Sequence, residues 1–126
     1  MRVRVTKQEN VSVLSFESGE VLDCYVAADV KAQALRQLEG RSNLVLDLSS
    51  LEFVDSAGLG VLVGIYKRVK QRGCRVAVAA VRPYVVRVMK VIKLDQVFES
   101  FPDVPEAIAA LSRNQAPVVA GKQTRR

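Results

Sequence analysis

The sequence predicts an α/β fold on a single mixed, partly parallel sheet of four to five strands with about four helices, in the order β-β-α-β-α-β-α-β-α. Three observations carry this. Leu44-Val45-Leu46-Asp47-Leu48 and Arg75-Val76-Ala77-Val78-Ala79-Ala80-Val81 are short, nearly all-apolar runs, the mark of strands covered on both faces. Segments with helical periodicity lie between and after them. The N-terminus alternates apolar and polar residues, as an antiparallel hairpin does.

Each element has its own signal. Val3 and Val5, then Val11, Val13 and Ser15, flank Gln8-Glu9-Asn10 and read as two hairpin strands. Ser18-Gly19-Glu20 breaks that pattern. From Tyr25 to Glu39, Ala28, Ala32, Leu35 and Leu38 recur at helical spacing, and Gly40 stands where a left-handed cap is wanted. The stretch 49–56 reads as a strand-to-helix connection. The next helix carries Leu59, Leu62, Val63, Tyr66 and Val69 on one face and ends at Gly73. Pro83 suits the first turn of a helix over Tyr84 to Leu94, with Val85, Val88, Met89 and Ile92 at i, i+3, i+4 and i+7. Gln96-Val97-Phe98 suggests a short edge strand. A last helix runs from Val104 to Leu111 with Pro105 in its first turn. There is no internal repeat, so the unit is expected to span 1–112, with 113–126 as a disordered tail.

Composition removes whole classes of function. The 126 residues include no histidine, which excludes a Ser-His-Asp triad, a Cys-His pair and any histidine metal site. No cofactor is implied. With no tryptophan and few aromatics, a base-stacking surface for nucleic acid is not expected. No apolar run reaches the roughly 18 residues of a membrane span. Met1-Arg2-Val3-Arg4-Val5 lacks the apolar block of a signal peptide, so a cytoplasmic location is expected. Cys24 and Cys74 are too few for a metal cage, and Cys74 reads as a small core residue.

The informative segment is Asp55-Ser56-Ala57-Gly58-Leu59-Gly60, between a buried strand and an amphipathic helix. Ser56 reads as a helix N-cap, and the first turn beyond it leaves backbone N–H groups unpaired. Gly58 and Gly60 would let another chain approach the backbone. A phosphoryl group on Ser56 would gain from the helix dipole and lose from Asp55 beside it. Dinucleotide binding is rejected, because Gly58-x-Gly60-x-x-x-Gly64 is one residue too long and no acid occurs before Asp95 to bind a ribose. A serine nucleophile is rejected too, since G-x-S-x-G is absent and no histidine could activate it.

The run from Leu44 to Gly60, an apolar strand followed by Asp47-Leu48-Ser49 and Asp55-Ser56-Ala57-Gly58-Leu59-Gly60, resembles the STAS domain in its stand-alone form, the bacterial anti-sigma factor antagonists. The similarity covers Val11 to Leu111. It implies the STAS fold and a non-enzymatic partner switch, with Ser56 as phosphoacceptor. The unphosphorylated form would bind an anti-sigma factor that is also a GHKL-type serine kinase, releasing the sigma factor. Phosphorylation would end that binding, and a metal-dependent PPM-type phosphatase would restore it. Asp55, Ala57, Gly58, Leu59 and Gly60 would shape the docking surface. Gly19-Glu20-Val21-Leu22-Asp23 is one residue longer than the family's Gly-Glu-Leu-Asp segment and makes Asp23 the counterpart of its acidic residue near the phosphoserine. The resemblance also admits a STAS scaffold or accessory subunit, in a lipid-transport ATPase or a signalling complex, and a weak homodimer.

Charge is unevenly spread. Residues 1–55 carry six basic and nine acidic side chains, residues 56–94 nine basic and none acidic, and residues 95–126 four of each. In the helix after Pro83, Arg87, Lys90 and Lys93 are spaced to share a surface with Val86 and Val91. That mixture suits an acidic protein surface, with Arg87 and Lys90 as contacts. A merely solvated face, or an anionic membrane or nucleic acid, is the alternative.

Overall fold

The structure, a computed structural model, describes residues 1–17, 19–38 and 40–113. The N-terminal run folds as β1 (Arg2–Gln8) and β2 (Val11–Glu17), paired antiparallel with Gln8 opposite Val11. Glu9 and Asn10, both at positive φ (50° and 70°), form the two-residue turn whose twist suits a hairpin. Next along the chain come the short β3 (Val21–Leu22) and then α1 (Ala27–Gln37). The central strands are β4 (Asn43–Asp47) and β6 (Val76–Ala79), parallel to each other, with β4 also parallel to β2. Between them lie β5 (Phe53–Val54) and α2 (Ser56–Gln71). The short β7 (Glu99–Phe101) pairs parallel with β6 and completes a five-stranded sheet in the order β1-β2-β4-β6-β7. The expected mixed sheet is thus present.

Alternation along the strands divides the core. Leu14, Phe16, Leu44, Leu46, Val76 and Val78 face one way, where α1, α2 and α3 (Pro83–Val91) cover them. Val11, Val13, Val45, Ala77 and Ala79 face the other way, beneath α4 (Val104–Ser112). Strand positions buried on both sides explain why β4 and β6 read as unbroken apolar runs.

Four sequence expectations need correction. First, the stretches before α1 and before α2 hold strands, β3 and β5, which pair parallel as a separate ribbon. Second, α1 buries Val30 and Ala34, with Leu38 just past its end, while Ala28 and Ala32 are not in the core. The helix is rotated because Gln33 and Gln37 face β1. Their carboxamides bond the backbone of Met1, Val3 and Val5 and so cover a sheet edge. Third, α2 presents Val61 and Ile65 to the core, leaving Val63 and Tyr66 half-buried, and Tyr66 meets the Phe98 ring edge-on at 5.0 Å. Fourth, residues 94–96 form a 3-10 turn, because Lys93 is left-handed (φ 65°) and ends the helical run. Phe98 is buried in the core, and the edge strand starts only after it. Since α3 stops at Val91, Ile92 leaves the apolar stripe and is 47% exposed. Cys74 is half-buried against the core, and Cys24 is exposed. The tail expectation falls, for 114–126, outside the described residues.

The basic segment is partly structural. Arg75, just before β6, and Glu99, the first residue of β7, form a buried two-pronged ion pair at 2.6 and 3.0 Å. Arg72 donates to the carbonyls of Leu38 and Gly40 past the end of α1, and Arg82 donates to Ser49 and approaches Glu52. Burying the Arg75 charge is tolerable because its carboxylate partner is buried with it. Glu99→Ala is therefore expected to lower stability by about 3–5 kcal/mol in urea unfolding. Arg4→Ala, which breaks the exposed Arg4–Glu17 pair, should cost less than about 1 kcal/mol.

Candidate functional site

The site is assembled where the β3–β5 ribbon meets the start of α2. Asp55, not Ser56, is the N-cap. Its backbone is extended, and its Oδ1 accepts the Gly58 N–H at 2.9 Å. Its Oδ2 accepts the Cys24 N–H at 3.0 Å, from a loop 31 residues earlier. The Asp55 N–H donates in turn to the Leu22 carbonyl. One carboxylate thus ties the loop before α1 to the first turn of α2.

Gly58 makes that junction possible. A Cβ at this position would lie 2.2 Å from the Leu22 carbonyl oxygen and 2.9 Å from Val54 Cγ2. Gly60 faces open space, and a Cβ there would meet nothing within 4 Å. The two glycines therefore differ in role: one seats the helix on the ribbon, and the other keeps the surface low.

Ser56 is the first residue of α2 and is exposed. Its hydroxyl makes no hydrogen bond among the described residues and is open to solvent. The N–H groups of Ser56 and Ala57 have no intrahelical acceptor, which favours an anion at this position. Asp55 places a negative charge next door, yet both its oxygens already accept N–H bonds that offset part of that charge. Ala57 is half-buried, while Gly58 and Leu59 are buried and support the surface from beneath.

Asp23 does not reach Ser56 through any hydrogen bond among the described residues. Its Oδ1 accepts the Tyr25 N–H, and its carbonyl accepts from Val26 and Ala27, which shapes the loop that Asp55 holds. Around this loop lie exposed apolar residues that neither motif nor periodicity places in the site: Val21, Tyr25 and Phe53, with Tyr25 90% exposed. Phe53 stacks on Tyr84 at 5.2 Å between ring centroids, and the Arg87 guanidinium lies 5.9 Å from the Tyr84 ring. Arg87 is thereby linked to the Ser56 face, whereas Lys90, one turn farther along α3, has no such link. No sequence signal marks the apolar rim, because Val21 opposite Phe53 lies on the outer side of a ribbon whose two-residue strands have no period to detect.

The family profile of the STAS domain matches residues 2–107. An anti-sigma F factor antagonist from Paenibacillus polymyxa is 29% identical over 113 residues, covering 88% of this chain and 97% of that protein. An anti-sigma-B factor antagonist from Listeria monocytogenes is 28% identical over 99 residues, covering 77% of this chain and 85% of that protein. The solved structure of an anti-sigma-factor antagonist (STAS) domain protein from Planctomyces limnophilus superposes with a TM-score of 0.82 at 28% identity, over 87% of this chain and 97% of that one.

The two glycines make opposite predictions. Gly58→Ala is expected to destabilise the protein by about 2 kcal/mol or more, because the methyl overlaps backbone. Gly60→Ala should instead stabilise it by about 0.5–1 kcal/mol, through helix propensity alone. Thermal or urea unfolding of both variants checks this.

Proposed function

The chain belongs to the STAS domain family, and from that membership we propose that it is an anti-sigma factor antagonist switched by phosphorylation of Ser56. The observation that carries the switch is the position of Ser56, exposed and unbonded among the described residues at the first residue of α2. In the unphosphorylated state the surface around it binds an anti-sigma factor that doubles as a GHKL-type serine kinase, and the sigma factor is freed. The kinase then moves the γ-phosphoryl group of ATP onto Ser56 Oγ, releasing ADP and the hydroxyl proton. A PPM-type phosphatase hydrolyses the ester and resets the switch. The chain itself acts by binding, in the cytoplasm, and contributes no catalytic group.

The surface suits that task. Ser56 and Gly60 form a low polar centre, and Tyr25, Phe53 and Tyr84 offer aromatic anchors of the kind that dominate protein interfaces. Asp55 fixes the backbone beneath them, so little ordering is needed on binding. Asp23 holds the Tyr25 loop in place, and Arg87, over the Tyr84 ring, supplies positive charge along the rim. Phosphorylation adds about −1.5 to −2 charge at the centre, which a partner would have to desolvate. A cost of about 3 kcal/mol weakens binding roughly a hundredfold.

Incubation with the cognate kinase and ATP, followed by mapping of the phosphate, tests the assignment. Label is expected on Ser56 and absent from Ser56→Ala. That variant should keep its affinity for the anti-sigma factor, while Ser56→Asp loses it by about tenfold or more. Persistent labelling of Ser56→Ala contradicts the proposal.

A further inference from the structure

α1 and α2 pack side by side on one face of the sheet, and an open groove of about 310 Å³ runs between them. Lys31 and Leu35 line it from α1, and Gly64, Lys67, Arg68 and Gln71 from α2. Gly64 lets the Lys31 side chain lie close across α2, since a Cβ there would come within 3.3 Å of both its Cε and its Nζ. The groove carries three cationic side chains and no acidic one. None of the three forms an ion pair among the described residues. In this they differ from Arg72, Arg75 and Arg82, whose guanidinium groups are used to hold the fold.

We infer that this groove is a docking site for an acidic peptide segment of a protein partner. Like charges gathered in a concave site concentrate positive potential there, and a ligand bearing carboxylates relieves it. From Gly64 to Gln71 the groove follows α2 for about 10 Å, the length of about three extended residues. Leu35 and the aliphatic stems of the lysines give an apolar floor between the charges, which suits the methylenes of glutamate side chains. Gly64 lies about 12 Å along the helix from Ser56, so this contact does not depend on the phosphorylation switch.

The test is an amide NMR titration of the full chain with a decaglutamate peptide, with tripolyphosphate and phosphatidylglycerol vesicles as separate arms. Saturable shifts at Lys31, Gly64, Lys67, Arg68 and Gln71 are expected, fading near 1 M salt, where the screening length is about 3 Å. Lys31→Gln combined with Arg68→Gln should weaken the peptide about tenfold, the loss of two exposed charge contacts. Ser56→Asp should leave the titration unchanged, which separates this site from the Ser56 surface. The inference is overturned by shifts centred on Arg87, Lys90 and Lys93, by affinity indifferent to the double substitution, or by tighter binding of tripolyphosphate or vesicles than of the peptide.

Discussion

The Asp55 carboxylate accepts two backbone N–H groups, one from the helix it caps and one from a loop 31 residues away in sequence. That pair of bonds, with the close approach of Gly58 to the Leu22 carbonyl, fixes where α2 begins relative to the β3–β5 ribbon. The placement of Ser56 follows from it. Because the capping is done by the neighbouring aspartate, the serine hydroxyl is released from structural duty. A serine that capped its own helix would have to give up that bond to be modified. With the cap supplied by its neighbour, Ser56 could carry a modification without loss of the helix start, as the proposed switch requires.

The same division governs the charge. A phosphate on Ser56, as proposed, would meet the N–H groups at the head of α2 and an aspartate whose oxygens are already engaged. The local structure can therefore accept the modification without being rebuilt. What changes is the cost of covering the surface with a partner. The basic residues in the α1–α2 groove lie away from this point, so the chain presents faces of different character. Its positive excess arises wholly in 56–94, where three arginines serve the fold and the others stay at or near the surface.

Much of this is legible in the sequence. The strands around Leu46 and Val78, the helices after Asp55, Pro83 and Asp103, and the hairpin at Glu9-Asn10 all carry strong local signals. Two-residue strands such as Val21–Leu22 have no period to detect, so the ribbon that frames the site is invisible there. The buried face of α1 is masked because Gln33 and Gln37, polar residues, turn inward to cover the edge of β1. Sequence alone points to Ser56 as the cap because serine and aspartate are nearly equal in that role, and only the backbone decides between neighbours. The family motif points to this segment, and tertiary packing makes Asp55 rather than Ser56 the cap within it.

The central claim is that the Ser56 surface is preformed and is read by its charge. Hydrogen exchange at the Cys24 and Gly58 amides, measured in the unmodified and the Ser56-phosphorylated protein, tests it most directly. Protection that is equal in the two forms, alongside loss of anti-sigma factor binding, is the predicted result. Loss of protection at both amides on phosphorylation would show that the switch works by melting the Asp55 junction, and would contradict this account.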